Sequence, residues 1–333
     1  MNARFAFCTT YGPAVGMGHL RRCLTLAQEL TRQSASCTFL LTGDPEGVSW
    51  TLTHGFAAKS IDGALDSTLS ALRELPSSIV VVDDYAFTAA AFARLRPHRT
   101  LAVIDDLAER GLDADLVLNG NMNAASLRYR VPSACRMLLG PRFALLRPSF
   151  RGLPKRKATA RVRRVLLTLG GSDPARRTLD AARQLLSALP DTSLDVVLGP
   201  LYGDAADLET VVRRSGRGNE VRLHHAPDDL APLMTEADLA VSAGGQTTYE
   251  LAAAGVPAVA LCLAENQRGS LTAMSLVPTL LQTTSEEMMP AVIRLAADLP
   301  QRQKMIDAAQ SLVDGHGAVR AAQALIELGA ARG

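Results

Sequence analysis

The sequence predicts an α/β fold with two doubly wound halves, each built on a parallel sheet. Short apolar runs alternate along the chain with amphipathic helical patterns, which is typical of stacked β-α-β units. The alternation stops at a polar segment rich in Pro, Arg and Lys and then begins again. A chain of 333 residues is long enough for two domains of ordinary size.

Apolar runs bounded by turn residues are predicted to be strands. In the first half they cover residues 4–9, 37–41, 79–82, 101–104, 116–119 and 137–139. In the second half they cover residues 164–169, 194–198, 220–224, 239–241 and 258–263. Helical periodicity predicts helices over residues 20–32, 178–188, 246–254, 286–297, 300–313 and 319–328. The predicted domains are residues 1–150 and 163–315, with a linker at 151–162 and a C-terminal helix in 316–333.

Composition and charge exclude several classes of protein. Hydrophobic residues make up 47% of the chain and charged residues 20%, which is typical of globular proteins. The net charge of +2 gives no reason to expect a nucleic-acid partner, and the basic run at 155–164 is interpreted as a solvated linker. The longest apolar stretch, residues 251–264, is too short to span a membrane. Five scattered cysteines without metal-ligand spacing, and an N-terminus unlike a signal peptide, predict a cytoplasmic protein with free thiols.

The first candidate site follows the first predicted strand and opens a helix. Gly16 and Gly18 allow a tight turn and the close approach of a ligand. The helix-start amides favour an anionic or electron-rich group, and a histidine at this end of a helix is favoured in its neutral form. His19 is therefore the candidate general base, expected on the exposed rim of a ligand crevice. The segment is not the dinucleotide fingerprint, because the third glycine and the later acidic residue are absent.

The second candidate site also follows a predicted strand and opens a helix. Gly244 and Gly245 can present successive amides to a diphosphate, with Gln246 and Thr247 next in the chain. Glu250, one turn into the helix, can accept hydrogen bonds from a ribose diol. An ordinary capped helix with an acidic first turn is the alternative.

A third glycine loop opens the second half at Gly170, Gly171 and Ser172. The following Asp173-Pro174 is explained as well by a turn as by a ligand, so both interpretations stay open. No nucleophile elbow and no Walker loop is present.

Polar residues follow other predicted strands and are candidates for sugar binding. Asp83, Asp84 and Tyr85 end one strand, and Asp105 and Asp106 end the next. The position of these carboxylates suits sugar hydroxyls or an amino group. The acid pairs at 83–84 and 105–106 also suggest Mg²⁺, but no histidine lies near them in sequence, and no metal site is predicted. Asn266 and Gln267 offer uncharged amides to a sugar or phosphate.

These motifs occur in one order along the chain. They are residues 16–27, 83–85, 105–107, 119, 140–147, 150, 168–174, 242–250, 255–257, 266–267 and 314–318. On them the chain resembles, nearly end to end, the UDP-sugar hydrolases of the pseudaminic acid pathway and the related spore-coat polysaccharide proteins. It is more distantly similar to the glycosyltransferase that makes lipid II.

The resemblance implies a fold of the GT-B type, with two Rossmann-like domains facing a central cleft and the last helix packing toward the first domain. It places the nucleotide of a UDP-sugar on the second domain and the sugar against the first. His19 matches the catalytic histidine of the family. The implied nucleotide residues are Gly170, Gly171, Ser172, Gly244, Gly245, Gln246, Thr247 and Glu250. The implied sugar residues are Gly16, Gly18, Arg22, Asp84, Tyr85, Asn266 and Gln267.

The resemblance implies a reaction without cofactor or metal, in which water attacks the anomeric carbon and UDP leaves. The chain departs from the family at Cys8 and Thr10, where an Arg and an Asp are usual, and at Gln246, where Ser is common. Because the first two positions lie near the implied sugar pocket, transfer of the sugar to an acceptor stays open as the alternative to hydrolysis. A non-catalytic sugar-nucleotide sensor is the third hypothesis.

Overall fold

The structure is a computed structural model that describes residues 3–12, 15–75, 79–171, 173, 175–200, 202–203 and 205–331. It divides into two compact units, Met1–Pro148 with His316–Gly333 and Ser149–Gly315. Each unit contains a parallel sheet flanked by helices, so the predicted α/β class is confirmed.

The first unit contains a sheet of seven parallel strands. They are β1 (Arg4–Tyr11), β2 (Ser36–Gly43), β3 (Ala57–Ser60), β4 (Ile79–Asp83), β5 (Thr100–Ile104), β6 (Leu116–Asn119) and β7 (Arg136–Leu139). Their order in the sheet is β3-β2-β1-β4-β5-β6-β7. The helices between them are α1 (Gly18–Arg32), α2 (Glu46–Thr53), α3 (Leu65–Glu74) and α4 (Ala89–Leu95).

Side-chain alternation along β1 feeds two cores. Phe5 and Phe7 pack with helix α1, whereas Ala6 and Cys8 point to the opposite face and pack with helices α3 and α4. Because both faces of this sheet are covered, its inner strands are mainly apolar. The fully buried β4 is apolar up to Val82 and ends in Asp83.

The second unit repeats this design with six parallel strands. They are β8 (Arg164–Thr168), β9 (Ser193–Leu198), β10 (Val221–His225), β11 (Leu239–Ala243), β12 (Ala258–Leu261) and β13 (Leu281–Thr283). Their order is β10-β9-β8-β11-β12-β13. The helices are α5 (Arg177–Ala188), α6 (Ala205–Arg214), α7 (Ala231–Glu236), α8 (Gln246–Ala254), α9 (Glu265–Ser275), α10 (Met288–Ala297) and α11 (Leu299–Leu312).

The predicted strands and helices all occur, with ends shifted by one or two residues in most cases. The sequence reasoning missed the edge strands β3 and β13 and the helices α2, α3, α4, α6, α7 and α9. Most of these elements are short, and α9 is weakly amphipathic, so their hydrophobic period does not stand out. Helices α3 and α6 are clearly amphipathic and were overlooked.

The segment predicted to be a linker is fastened to the second unit. Arg156 donates to the carbonyl oxygens of Met234 and Ala237, which end helix α7. Its own amide donates to Gln310 Oε1 at 3.0 Å, and Gln310 Nε2 donates to Pro154 O at 3.0 Å. Part of the basic run therefore satisfies the carbonyl oxygens of a helix end.

The last helix, α12 (Gly317–Ala330), belongs to the first unit and packs against α1. Its buried face consists mainly of alanines, which allow the two helices to approach closely. A Cβ added at Gly317 would lie 2.1 Å from Ala144 O and 2.6 Å from Ala144 N. Only glycine fits at this helix start.

Among the residues that the structure describes, no helix is both long enough and apolar enough to cross a bilayer.

Replacing Gly317 by Ala is expected to destabilise the first unit by about 2–3 kcal/mol, because the added methyl group meets backbone that cannot move aside cheaply. Urea unfolding followed by the fluorescence of Trp50, the only tryptophan, measures this unit. Gly111→Ala is the matched control, because an added Cβ there meets nothing closer than 4.0 Å. Equal midpoints for the two variants would contradict the steric argument.

Candidate functional site

Each sheet reverses its strand order at one point, and the candidate residues follow the strands on either side of it. In the first unit the reversal lies between β1, which leads to Gly16 and His19, and β4, which ends at Asp83. In the second unit it lies between β8 and β11, which lead to Gly170 and Gly244. Ligands of open α/β sheets bind outside the carboxyl ends of strands at such reversals.

His19 lies in the first turn of helix α1 and is only 6% exposed, so the expected position on an exposed rim is wrong. Its Nδ1 lies 2.7 Å from Asp83 Oδ1. Gly16, at φ +73°, turns the chain from β1 toward this helix. Met17 at the N-cap makes no side-chain cap hydrogen bond.

The carboxylate of Asp83 is completely buried and receives four donors from helix α1. Oδ1 accepts from His19 Nδ1 at 2.7 Å and from Arg22 Nη2 at 2.6 Å. Oδ2 accepts from Arg22 Nε at 2.6 Å and from the thiol of Cys23 at 3.5 Å. A carboxylate offers about four acceptor positions, so Asp83 has none left for a sugar or a metal ion.

Asp83 remains ionised despite its burial, and this determines which ring nitrogen of His19 carries a proton. Burial by itself would raise the pKa of Asp83, but Arg22 and His19 outweigh it and hold that pKa well below its usual range. An ionised carboxylate only accepts, so Nδ1 of His19 carries a proton. In the neutral imidazole the lone pair is then on Nε2.

Arg22 connects Asp83 to a second carboxylate. Its Nη1 donates to Asp106 Oδ2 at 2.6 Å, while Nε and Nη2 form a bidentate pair with Asp83. Burial lowers the pKa of Arg22, but Asp106 and Asp83 raise it well above the ordinary value. The 3.4 Å approach of Nη2 to His19 Nδ1 brings together two donors that share Asp83 Oδ1. With its fork committed to carboxylates, Arg22 is suited to positioning rather than to sugar binding.

Tyr85 lies beside His19 at the same edge. Its ring meets the imidazole edge to face, with centroids 4.6 Å apart and planes at 86°. The phenol donates to Asp106 Oδ2 at 2.9 Å. Burial and Asp106 raise the pKa of Tyr85, so the phenol stays protonated and continues to donate.

Asp84 takes a different place from its neighbour. Its carboxylate accepts from Thr42 Oγ1 at 3.2 Å and from the amide of Ala86 at 2.8 Å. Burial, followed by the charge of Asp84, raises the pKa of Cys8 to about 12. Cys8 and Thr10 are 2% and 9% exposed, so the two residues that depart from the family are inside the unit.

Asp105, the first residue of the second acid pair, holds the loop that follows strand β5. Asp105 Oδ1 accepts from the amides of Leu107 and Ala108, and Arg110 lies 3.4 Å from its Oδ2. Within the described part of the chain, no group of three or more His, Cys, Asp or Glu side chains is arranged to hold a metal ion.

In the second unit, Gly245 is the N-cap of helix α8, with φ +105° and no side-chain cap hydrogen bond. The amide of Gly244 donates to Leu261 O at 2.9 Å, which extends the sheet ladder. The sequence predicts that the amides of Gly244 and Gly245 both bind a diphosphate. The amide of Gly244 is already bound to Leu261 O and is not available for this. Gln246 and Thr247 form the first turn, half-buried.

The loop after β8 turns at Gly170, where φ is +105°. A Cβ at Gly199, in the loop after β9, would lie 2.3 Å from Gly171 O, so these two loops touch. Asp173 accepts from the amides of Arg177 and Thr178 at the start of α5, so this aspartate serves the turn and helix cap. Ser172 lies outside the described residues.

Helix α9 brings Gln267 to the second glycine loop. A Cβ at Gly244 would meet Gln267 Cβ at 3.0 Å, and Gln267 Oε1 accepts from the amide of Leu263 at 3.0 Å. Its neighbour Asn266 is exposed in the first turn of α9. Glu250 is buried in helix α8, at 6% exposure.

Sequence reasoning offered Asp83 and Asp106 as strand-end carboxylates for a ligand, but it missed their contacts with helix α1. It missed Gly199 altogether. A signal for Asp83 was present, because residues 19, 22 and 23 share one helix face and include two basic side chains. The choice of Asp83 over Asp84 needed the strand register, in which Asp83 pairs with Thr9 of β1.

Replacing Asp83 by Asn is expected to lower the unfolding free energy of the first unit by about 3 kcal/mol, because Arg22 loses its buried partner. The pKa of Asp83 is depressed in the folded state, so its stabilisation is present above the ordinary aspartate pKa of about 4 and is lost as pH falls below it. Trp50 fluorescence in urea between pH 3 and 7 measures the difference. Asp113→Asn, at a half-exposed ion pair, is the control. A gap between wild type and variant that is independent of pH would refute the assignment.

Several known proteins are similar to this chain in sequence. Residues 165–272 match the Glycosyltransferase family 28 C-terminal domain. The chain is 26% identical to the spore coat polysaccharide biosynthesis protein SpsG of Bacillus subtilis, over 94% of this chain and 95% of that protein. It is 20% identical to the UDP-2,4-diacetamido-2,4,6-trideoxy-beta-L-altropyranose hydrolase of Campylobacter jejuni, over 78% of this chain and 91% of the hydrolase.

A third relative is longer than this chain. The uncharacterized protein MJ1062 of Methanocaldococcus jannaschii is 25% identical over 80% of this chain, and the match spans 57% of its own length.

Solved structures show the fold. Acinetobacter baumannii MurG superposes with a TM-score of 0.68 at 15% identity, over 98% of this chain and 100% of MurG. The calicheamicin glycosyltransferase CalG4 gives 0.69 at 15% identity, over 98% of both chains. The fold is therefore of the GT-B type, as expected. The chain is a relative of SpsG and of the Campylobacter UDP-sugar hydrolase, with a glycosyltransferase family 28 match in its second unit.

Proposed function

We propose that the protein hydrolyses a nucleotide-linked sugar, with UDP as the nucleotide, by His19-assisted attack of water on the anomeric carbon. The observation that carries the proposal is the 2.7 Å contact between His19 Nδ1 and the buried, ionised Asp83. It leaves the lone pair of the neutral imidazole on Nε2. A base held in one tautomer by a buried acid is suited to taking a proton from water.

The proposed step needs a base and a leaving group. His19 Nε2 takes a proton from water as the water oxygen bonds to the anomeric carbon. The bond from that carbon to the diphosphate oxygen breaks, and its electron pair leaves with UDP. The carboxylates of Asp83 and Asp106 carry two negative charges, and Arg22 between them carries one positive charge. The remaining negative charge stabilises the imidazolium that forms.

We assign nucleotide binding to the second unit. Helix α8 starts at Gly245 without a side-chain cap, and the helix dipole at that end favours a diphosphate. Gly170 and Gly171 turn at the end of the adjacent strand, and Gln267 lies against Gly244. Glu250 is assigned to the ribose diol. The name of the Campylobacter relative supports a UDP-sugar as the substrate class.

Transfer of the sugar to an acceptor is the second candidate. The match of residues 165–272 to a glycosyltransferase domain favours it. The same base, acting on an alcohol or amine instead of water, would give transfer, so the donor side of the site does not distinguish the two reactions.

His19→Asn is expected to lower the rate of UDP release by about 10²–10⁴-fold, because the base is lost, and to leave UDP affinity unchanged. The assay follows UDP release from candidate UDP-sugars alone, with and without EDTA. Release without acceptor supports hydrolysis, and release that needs added cell extract supports transfer.

The matched control is His98→Asn, because His98 is an exposed histidine of the same unit. Full activity in His19→Asn would overturn the assignment of the base. Strong inhibition by EDTA would overturn the metal-independent mechanism.

Glu250→Gln is expected to weaken UDP binding by about tenfold, because a hydrogen bond from the ribose to a charged acceptor is replaced by one to a neutral acceptor. Titration calorimetry with UDP measures it. Glu265→Gln, at an exposed glutamate of helix α9, is the control. Unchanged UDP affinity in the Glu250 variant would remove this residue from the site.

A further inference from the structure

We propose that Asp106 is a positioning residue for His19, acting through Arg22 and through Tyr85. The inference rests on the proposed function in one respect, that His19 is the base. Asp106 itself makes no contact with His19 in the described part of the chain. Its role is to hold the two residues that do.

The contacts of Asp106 converge from three directions. Oδ2 accepts from Arg22 Nη1 at 2.6 Å and from the phenol of Tyr85 at 2.9 Å. Oδ1 accepts from Asn121 Nδ2 at 3.1 Å. Asn121 follows strand β6, so this third contact fixes the carboxylate against the neighbouring strand end.

The first route to His19 passes through Arg22. One end of the guanidinium is bound by Asp106, and its other two nitrogens form the bidentate pair with Asp83. A planar fork held at both ends cannot rotate without breaking a bond to a buried carboxylate. Asp83 is thereby held where its Oδ1 meets His19 Nδ1.

The second route passes through Tyr85. The phenol donates to Asp106, which fixes the plane of the ring. That ring stands at 86° to the imidazole with centroids 4.6 Å apart. The imidazole therefore has a hydrogen bond at Nδ1 and an aromatic edge contact, and Asp106 supports both.

Asp106 also sets the charge around the base. Among the described residues, the groups in contact with His19 are Asp83 from β4, Arg22 from α1 and Tyr85. Cys23 binds the same Asp83 carboxylate, and Asp106 lies beyond Tyr85. The thiol and the phenol stay protonated, so two carboxylates and one guanidinium leave one negative charge in excess. This excess favours the imidazolium form of His19 once it has accepted a proton. Asp106→Asn removes it with little change of shape.

The experiment compares Asp106→Asn with Asp113→Asn, which removes the same charge from a half-exposed position of the same unit. We expect kcat for UDP release to fall by about 10–100-fold in the Asp106 variant, with UDP affinity unchanged. The acidic limb of the pH–rate profile moves to lower pH, because loss of negative charge disfavours the imidazolium. A purely structural role would not move this limb.

Imidazole ¹⁵N NMR provides a readout that does not depend on activity, with the signal assigned by its absence in His19→Asn. In the wild type we expect the neutral His19 ring to carry its proton on Nδ1. In Asp106→Asn this preference weakens, and the ring becomes protonated only at lower pH. If the wild type releases no UDP, the proposed function fails, but these spectra still decide the role of Asp106.

Tyr85→Phe keeps the ring and removes only the bond to Asp106, so it decides the matter if Asp106→Asn does not fold. We expect a several-fold lower kcat and an unchanged acidic limb, because no charge is lost. Asp106→Asn that matches Asp113→Asn in rate and in spectra would overturn the proposal. A Tyr85→Phe variant with wild-type kcat and spectra would overturn it as well.

Discussion

The candidate site of the first unit depends on one buried charge. Asp83 has no exposed surface, and an ionised carboxylate without partners in such a place would cost several kcal/mol. Its partners His19, Arg22 and Cys23 all come from the first two turns of helix α1. The start of α1 is thus tied to the end of β4, because moving either would leave a charge unpaired. The orientation of the candidate base follows from this constraint.

The sheet order explains why the residues of each site meet. In each unit the first strand lies beside the fourth, and the connections leave on opposite sides of that boundary. The turn after the first strand and the end of the fourth therefore share one edge. His19 and Asp83 meet there in the first unit, and Gly170 and Gly244 follow adjacent strands in the second. The same geometry supports many chemistries, so the side chains rather than the fold carry the functional argument.

Several polar features have structural duties. Arg156 satisfies the end of helix α7, and Asp173 caps helix α5. Arg302, 1% exposed, donates to the carbonyl oxygens of Leu295, Ala296 and Thr159. In each case the reason is the same, since helix ends leave backbone groups that need partners. A basic or acidic residue near a glycine loop is therefore weak evidence for a ligand until its contacts are known.

The sequence by itself determined the class of fold, the main strands and helices, and the glycine turns at the strand ends. Hydrophobic period and turn residues act locally, so they can be seen without the tertiary structure. Only the tertiary structure decided that Asp83, and not Asp84, holds His19, because adjacent residues of a strand point to opposite faces and register selects between them. It also decided that His19 is buried and that Arg22 is committed to Asp83 and Asp106. These contacts join residues more than sixty positions apart, and no local pattern encodes which of several carboxylates a buried arginine will meet.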